Sequence, residues 1–73
     1  MTPAPKLQWT WAGGENHESS FNGFIVRINR SGHTLRASIF KDARLVITKT
    51  THEGIRDAKR IAACLLVSAG ACR

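Results

Sequence analysis

Three histidines (His17, His33, His52) and two cysteines (Cys64, Cys72) are the imidazoles and thiols with which this chain could hold a zinc ion or build a Cys–His nucleophile. Zinc ligands come in short pairs, Cys-x-x-Cys or His-x-x-x-His, because one turn must deliver two donors to a tetrahedral ion. No such pair occurs, and Cys64 and Cys72 stand eight residues apart. A Cys–His nucleophile needs a third group to orient the imidazole, and the sequence singles none out. There is no Tyr, no paired carboxylate and no Gly-rich phosphate loop. The expectation is a non-enzymatic protein without metal or cofactor. A thiol-redox role would require Cys64 to be exposed and activated.

Positive charge is the other chemical resource. Lys and Arg number 11 against 5 Asp and Glu, a net charge of +6, and they are spread from Lys6 to Arg73 with no basic tail. The folded body should therefore carry the positive field itself, which favours an anionic partner: nucleic acid, an acidic protein surface or a nucleoprotein. Two groups stand out. Arg27, Arg36 and Lys49 can form a strip on one sheet face, with Phe40 beside them to stack on a base or sugar. Arg56, Lys59 and Arg60 can form a ridge at the start of a helix, where backbone N–H groups also attract phosphate. Each group has a bland alternative, a solvated sheet face or helix face that binds nothing.

The elements that would position these residues follow from periodicity. Residues 50–70 form the one long helical pattern, with Ile55, Ala58, Ile61, Ala62, Leu65, Leu66 and Ala69 on one arc. Thr50 and Glu53 have capping-box spacing, and Gly70 can take the left-handed stop. Upstream, residues 6–12, 21–29, 33–41 and 44–50 alternate as strands. Residues 1–5 are a Pro-rich flexible leader, and 13–20 a polar loop. The fold class is α+β: a four-stranded antiparallel meander with one face packed by a C-terminal helix, all in one domain of residues 6–73. Trp9 and Trp11 share a strand face and read as core filling; if either is exposed it becomes an interface anchor.

Register decides the strip. With Ser31-Gly32 as a two-residue turn, Phe24 faces Ile39, Val26 faces Ala37, Ile28 faces Leu35, and Arg27 faces Arg36. Such a like-charge pair is unfavourable unless the side chains splay or an anion sits between them. A two-residue turn at Asp42-Ala43 would set Lys49 beside Arg36. A three-residue turn would send Lys49 to the helix side. The two-residue form is the expectation, because hairpins this short commonly use it.

Seventy-three residues bury only roughly 60% of the unfolded surface, so a shallow binding face is expected before a deep pocket. No secretory signal pattern and no membrane-length apolar run is present. An intracellular, cytoplasmic protein with free thiols and no membrane partner is expected. Val67, together with the sheet edges, offers a seam for a homodimer.

Residues 21–66 resemble two small DNA-binding folds, the AP2 domain and the arm domain of tyrosine integrases. RSGHTLRASIF (30–40) is similar to their second-strand core, and THEGIRDAKRIA (51–62) to their helix start. That resemblance implies that Arg27, Arg36 and Lys49 contact DNA. The Arg-Gly-Val start and second-strand Trp of AP2 domains are missing. The whole chain also resembles very short bacteriophage reading frames, with Trp9-x-Trp11, then Thr50, Glu53, Ala58, Lys59 and Ala62 in the helix. That likeness implies a stoichiometric inhibitor of host machinery, of which anti-CRISPR proteins are the best-known class. Its partner would be a host protein or ribonucleoprotein in the bacterial cytoplasm.

Overall fold

The computed structural model describes residues 6–14 and 16–71. The leader 1–5, and Cys72 with Arg73, lie outside the described residues. Among the described residues, five strands and one helix follow in order: β1 (Thr10–Trp11), β2 (His17–Phe21), β3 (Phe24–Ser31), β4 (Thr34–Lys41), β5 (Arg44–Thr51) and α1 (Ile55–Ser68). The strands form one antiparallel sheet in sequence order, β1-β2-β3-β4-β5. The α+β class and the C-terminal helix are as expected. The sheet has five strands where four were expected, because part of the polar loop 13–20 is β2.

The core comes from period-two alternation on β3 and β4. Phe24, Val26 and Ile28 point to one side of β3, and Leu35, Ala37 and Ile39 to the same side of β4; all six are buried. The helix closes this side. Ala58, Ala62, Ala63, Leu65 and Leu66 are its buried residues, and it lies over β4 with β3 and β5 to either side. Small alanines let the helix axis approach the sheet. Leu7 and Trp9 pack on the rim of the same cluster.

Three tight turns set the register. Asn22-Gly23 joins β2 to β3 with both residues left-handed (φ 49° and 82°), the type I′ pattern that follows the twist of a hairpin. The β3–β4 turn is Gly32-His33, with Ser31 facing Thr34. Only Gly32 is left-handed (φ 63°), as a type II′ turn requires of its first loop residue. The expected Ser31-Gly32 turn put glycine second, and the register is therefore shifted by two. Val26 faces Ile39, Arg27 faces Ser38, Asn29 faces Arg36, and Ile25 faces Phe40. A shift of two preserves which side each residue faces, so the core list survives while the Arg27–Arg36 pair does not.

At the β4–β5 turn, Asp42 and Ala43 are both left-handed (φ 53° and 63°), and Lys41 faces Arg44. The expected two-residue turn is present, but a bulge follows: Phe40 faces Leu45 while Ile39 faces Ile47, leaving Val46 without a partner. One extra residue reverses side-chain parity beyond it. Ile47, Lys49 and Thr51 thus take the helix side.

The helix starts later than the capping-box spacing suggested. Thr50 and Thr51 end β5, Gly54 is the N-cap, and no side chain caps it. Instead Thr51 Oγ1 accepts from the Glu53 backbone N–H (3.1 Å) and donates to Asp57 Oδ2 (2.8 Å). At the other end Gly70 is left-handed as expected (φ 86°). The Ala71 N–H reaches Leu66 O (3.0 Å) and the Gly70 N–H reaches Val67 O (3.1 Å), which is a Schellman stop. Asn22 Nδ2 donates to Ala71 O (2.7 Å) and ties this end to the β2–β3 turn.

Candidate functional site

The helix covers one side of the sheet and leaves the other open. On the open side β3 presents Ile25, Arg27 and Asn29, β4 presents Arg36, Ser38 and Phe40, and β5 presents Leu45, Thr48 and Thr50. Ile25 is 39% exposed and Leu45 56%. A shallow depression of about 410 Å³ is lined by Asn29, Arg36, Ser38, Phe40, Leu45 and Thr48, among others. Its floor is neutral and hydrogen-bonded. Thr48 Oγ1 donates its one proton to Ala37 O (3.1 Å), so the buried Ser38 hydroxyl is the donor in its 3.1 Å contact with Thr48.

The cations of this side are not equivalent. Arg27 Nε donates to Glu18 Oε2 (3.0 Å), and its guanidinium carbon lies 5.4 Å from the Phe40 ring centroid. A cation therefore already sits over the ring expected to stack on a base. Arg36 is exposed and, among the described residues, has no ion pair or side-chain hydrogen bond. Asn29 Nδ2 donates to Asn16 Oδ1 (3.2 Å).

The expected strip of Arg27, Arg36 and Lys49 is not assembled. Arg27 and Arg36 share the open side on a diagonal, and Lys49 is on the opposite side because of the Val46 bulge. There Lys49 sits near Asp57. Hydrogen bonds from Arg60 and then Thr51 hold the Asp57 carboxyl below the usual carboxylate range, and the positive charges of Arg60 and Lys49 act in the same sense. The Arg60 guanidinium is in turn raised above its ordinary value by that hydrogen bond and charge.

The helical ridge is likewise divided. Arg60 Nε donates to Asp57 Oδ1 (3.1 Å), Lys59 Nζ lies 5.7 Å from the Trp9 ring centroid, and Arg56 is exposed between them. All three are across the sheet from Arg36 and Phe40. Cys64 is exposed on the same helix. Among the described residues no three His, Cys, Asp or Glu side chains converge on a point that could hold a metal ion. No helix of the described residues is long and apolar enough to cross a membrane.

Trp11, like Lys49, is not where the sequence pattern puts it. It shares a face with Trp9, yet it is 67% exposed, and its indole N–H donates to Gly14 O (2.7 Å). By register Trp11 lies on the helix side, paired to His17, but α1 lies over β3, β4 and β5 and does not reach β1, so the helix leaves Trp11 uncovered. β2 was missed for a related reason: His17-Glu18-Ser19-Ser20 has no apolar alternation, although Ser19 is buried. Asn22-Gly23, the strongest short hairpin signal, could have revealed it. Compared with protein-family models, curated proteins and solved structures, the chain gives no match.

Proposed function

We propose that this is a small non-catalytic binding protein that docks on a macromolecular partner through the open side of its sheet. The observation that carries the reading is the asymmetry of that sheet: one side is sealed by α1, and the other exposes Ile25 and Leu45 on either side of Phe40, with Arg36, which has no ion pair among the described residues, exposed farther along β4. Apolar side chains exposed together on a face of this size mark contact surfaces. With a charge of +6, the partner is anionic overall. The likeness to phage-encoded inhibitors supplies the partner class: a host protein or ribonucleoprotein such as a defence complex, met in the bacterial cytoplasm.

The second reading is direct nucleic-acid binding through the same side, supported by Arg36, Asn29 and Thr48 around the depression. It is the weaker one. Glu18 already occupies Arg27, Arg27 covers Phe40, and Lys49 faces away.

Affinity capture from host extract, with and without nuclease, separates these readings when wild type is run beside Leu45→Asp. A partner kept by wild type after nuclease and lost by Leu45→Asp is the expected result. Recovery of nothing that the variant does not also recover would sink the proposal. Capture abolished by nuclease, together with DNA affinity that falls steeply with salt and drops on Arg36→Glu, would favour the second reading.

A further inference from the structure

The sheet has two edges of very different kind. β1 is two residues long. β5 runs for eight residues, contains no Pro and, among the described residues, has no strand beyond it. Every second peptide group of such a strand points away from its neighbour, which leaves a row of donors and acceptors ready for another strand. The side chains beside this row are cationic on the helix side and apolar or hydroxylic on the open side. Arg44, Ile47 and Lys49 face the helix side; Leu45, Thr48 and Thr50 face the open side. β5 has no acidic residue of its own. Asp42 and Glu53 lie beyond its two ends, and Asp57 is held by Arg60 and Thr51.

We propose that the free edge of β5 is a strand-addition site for an acidic extended segment of another protein. This deepens the reading above and rests on it in one respect, that the partner is a protein. An added strand would continue the open side past Leu45. Cross-strand neighbours of opposite charge are favourable, so the added strand carries Glu or Asp at positions beside Arg44 and Lys49. Its alternate positions are apolar, beside Leu45. A second copy of this chain does not fit. Antiparallel self-pairing centred between Val46 and Ile47 would set Arg44 of one copy opposite Lys49 of the other, and any register would bring together two bodies each of charge +6. Arg44 and Lys49, both exposed, disfavour another basic edge and favour an acidic one.

The test is an NMR titration of the full chain with a blocked peptide alternating Glu and Val. A second peptide alternates Lys and Val, and a third is the Glu-Val peptide N-methylated on alternate amides. The Glu-Val peptide should shift and protect the outward amides of β5 and leave β1 to β3 unchanged. The Lys-Val peptide and the Arg44→Glu/Lys49→Glu double variant should each bind about tenfold more weakly, the size expected when two favourable cross-strand charge pairs become repulsive. Equal binding of the two charge types, loss of nothing on N-methylation, shifts confined to other strands, or a concentration-dependent dimer through β5 without peptide would each overturn the proposal. Unfolding of the double variant would be seen in its own spectrum, and the peptide comparison on wild type still decides. In the capture experiment, loss with Leu45→Asp but not with Arg44→Glu/Lys49→Glu would reject the edge and keep the open side.

Discussion

The two sides of the sheet are made by the same strands and differ in almost every physical respect. On the helix side, Val26, Ile28 and Ile39 have no exposed surface, and α1 meets them with alanine and leucine. On the open side, Ile25 and Leu45 stay exposed, and an ion pair and hydroxyl contacts replace close packing. Ile25 and Ile28 sit three residues apart on β3 and belong to different environments because the side-chain period of a strand is two. One side therefore holds the fold together. The other is left for contact, since one helix cannot cover both.

The largest test of this contrast is to truncate both isoleucines. Ile28→Ala should cost about 2–5 kcal/mol, because the site is closed on all sides and a cavity remains. That approaches the whole stability of a small domain, roughly 0.05–0.15 kcal/mol per residue. Ile25→Ala, at a half-open site, should stay within about 1 kcal/mol. Chemical denaturation of both variants checks this, and equal losses would break the contrast.

A middle-sized effect is expected at the seam between sheet and helix. Thr51→Val removes both the acceptor for the Glu53 N–H and the donor to Asp57, and should cost about 1 kcal/mol, as for loss of a helix cap. The same seam predicts a pH dependence. The Asp57 carboxyl is held below its ordinary value, so its contribution is fully present above the ordinary carboxylate range. It is lost as pH falls through the lowered folded value. Acid unfolding profiles of wild type and Asp57→Asn should therefore converge at low pH and differ at neutral pH.

The smallest effect sharpens the open side. Glu18→Gln breaks an exposed ion pair with Arg27, and thermal unfolding should show a loss of less than about 1 kcal/mol. Arg27 then becomes free beside Arg36. A rise in DNA affinity in this variant, measured at low salt, would strengthen the nucleic-acid reading; no rise would weaken it.

Most of the fold was legible from periodicity. β3, β4 and the apolar arc of α1 are where the alternation and the 3.6-residue spacing put them, and Gly70 stops the helix as a left-handed residue should. β2 was not legible, because its buried position is Ser19 and not an apolar residue. The candidate site was legible only in part. Arg27, Arg36 and Phe40 share a side, but the sequence does not show Glu18 reaching Arg27, since Glu18 lay in what reads as a loop.

What the sequence alone determined is the sidedness of β3 and β4 and the greasy stripe of the helix, since both follow from local geometry that repeats along the chain. What only the tertiary structure decided is which cations stand together. That depends on Gly32 serving as the first residue of its turn and on one unpaired residue, Val46, in β5. A register is a sum over a whole ladder of pairings, and one inserted residue reverses every side chain beyond it. No local pattern around Lys49 could have shown that it would turn toward Asp57 and away from Arg36.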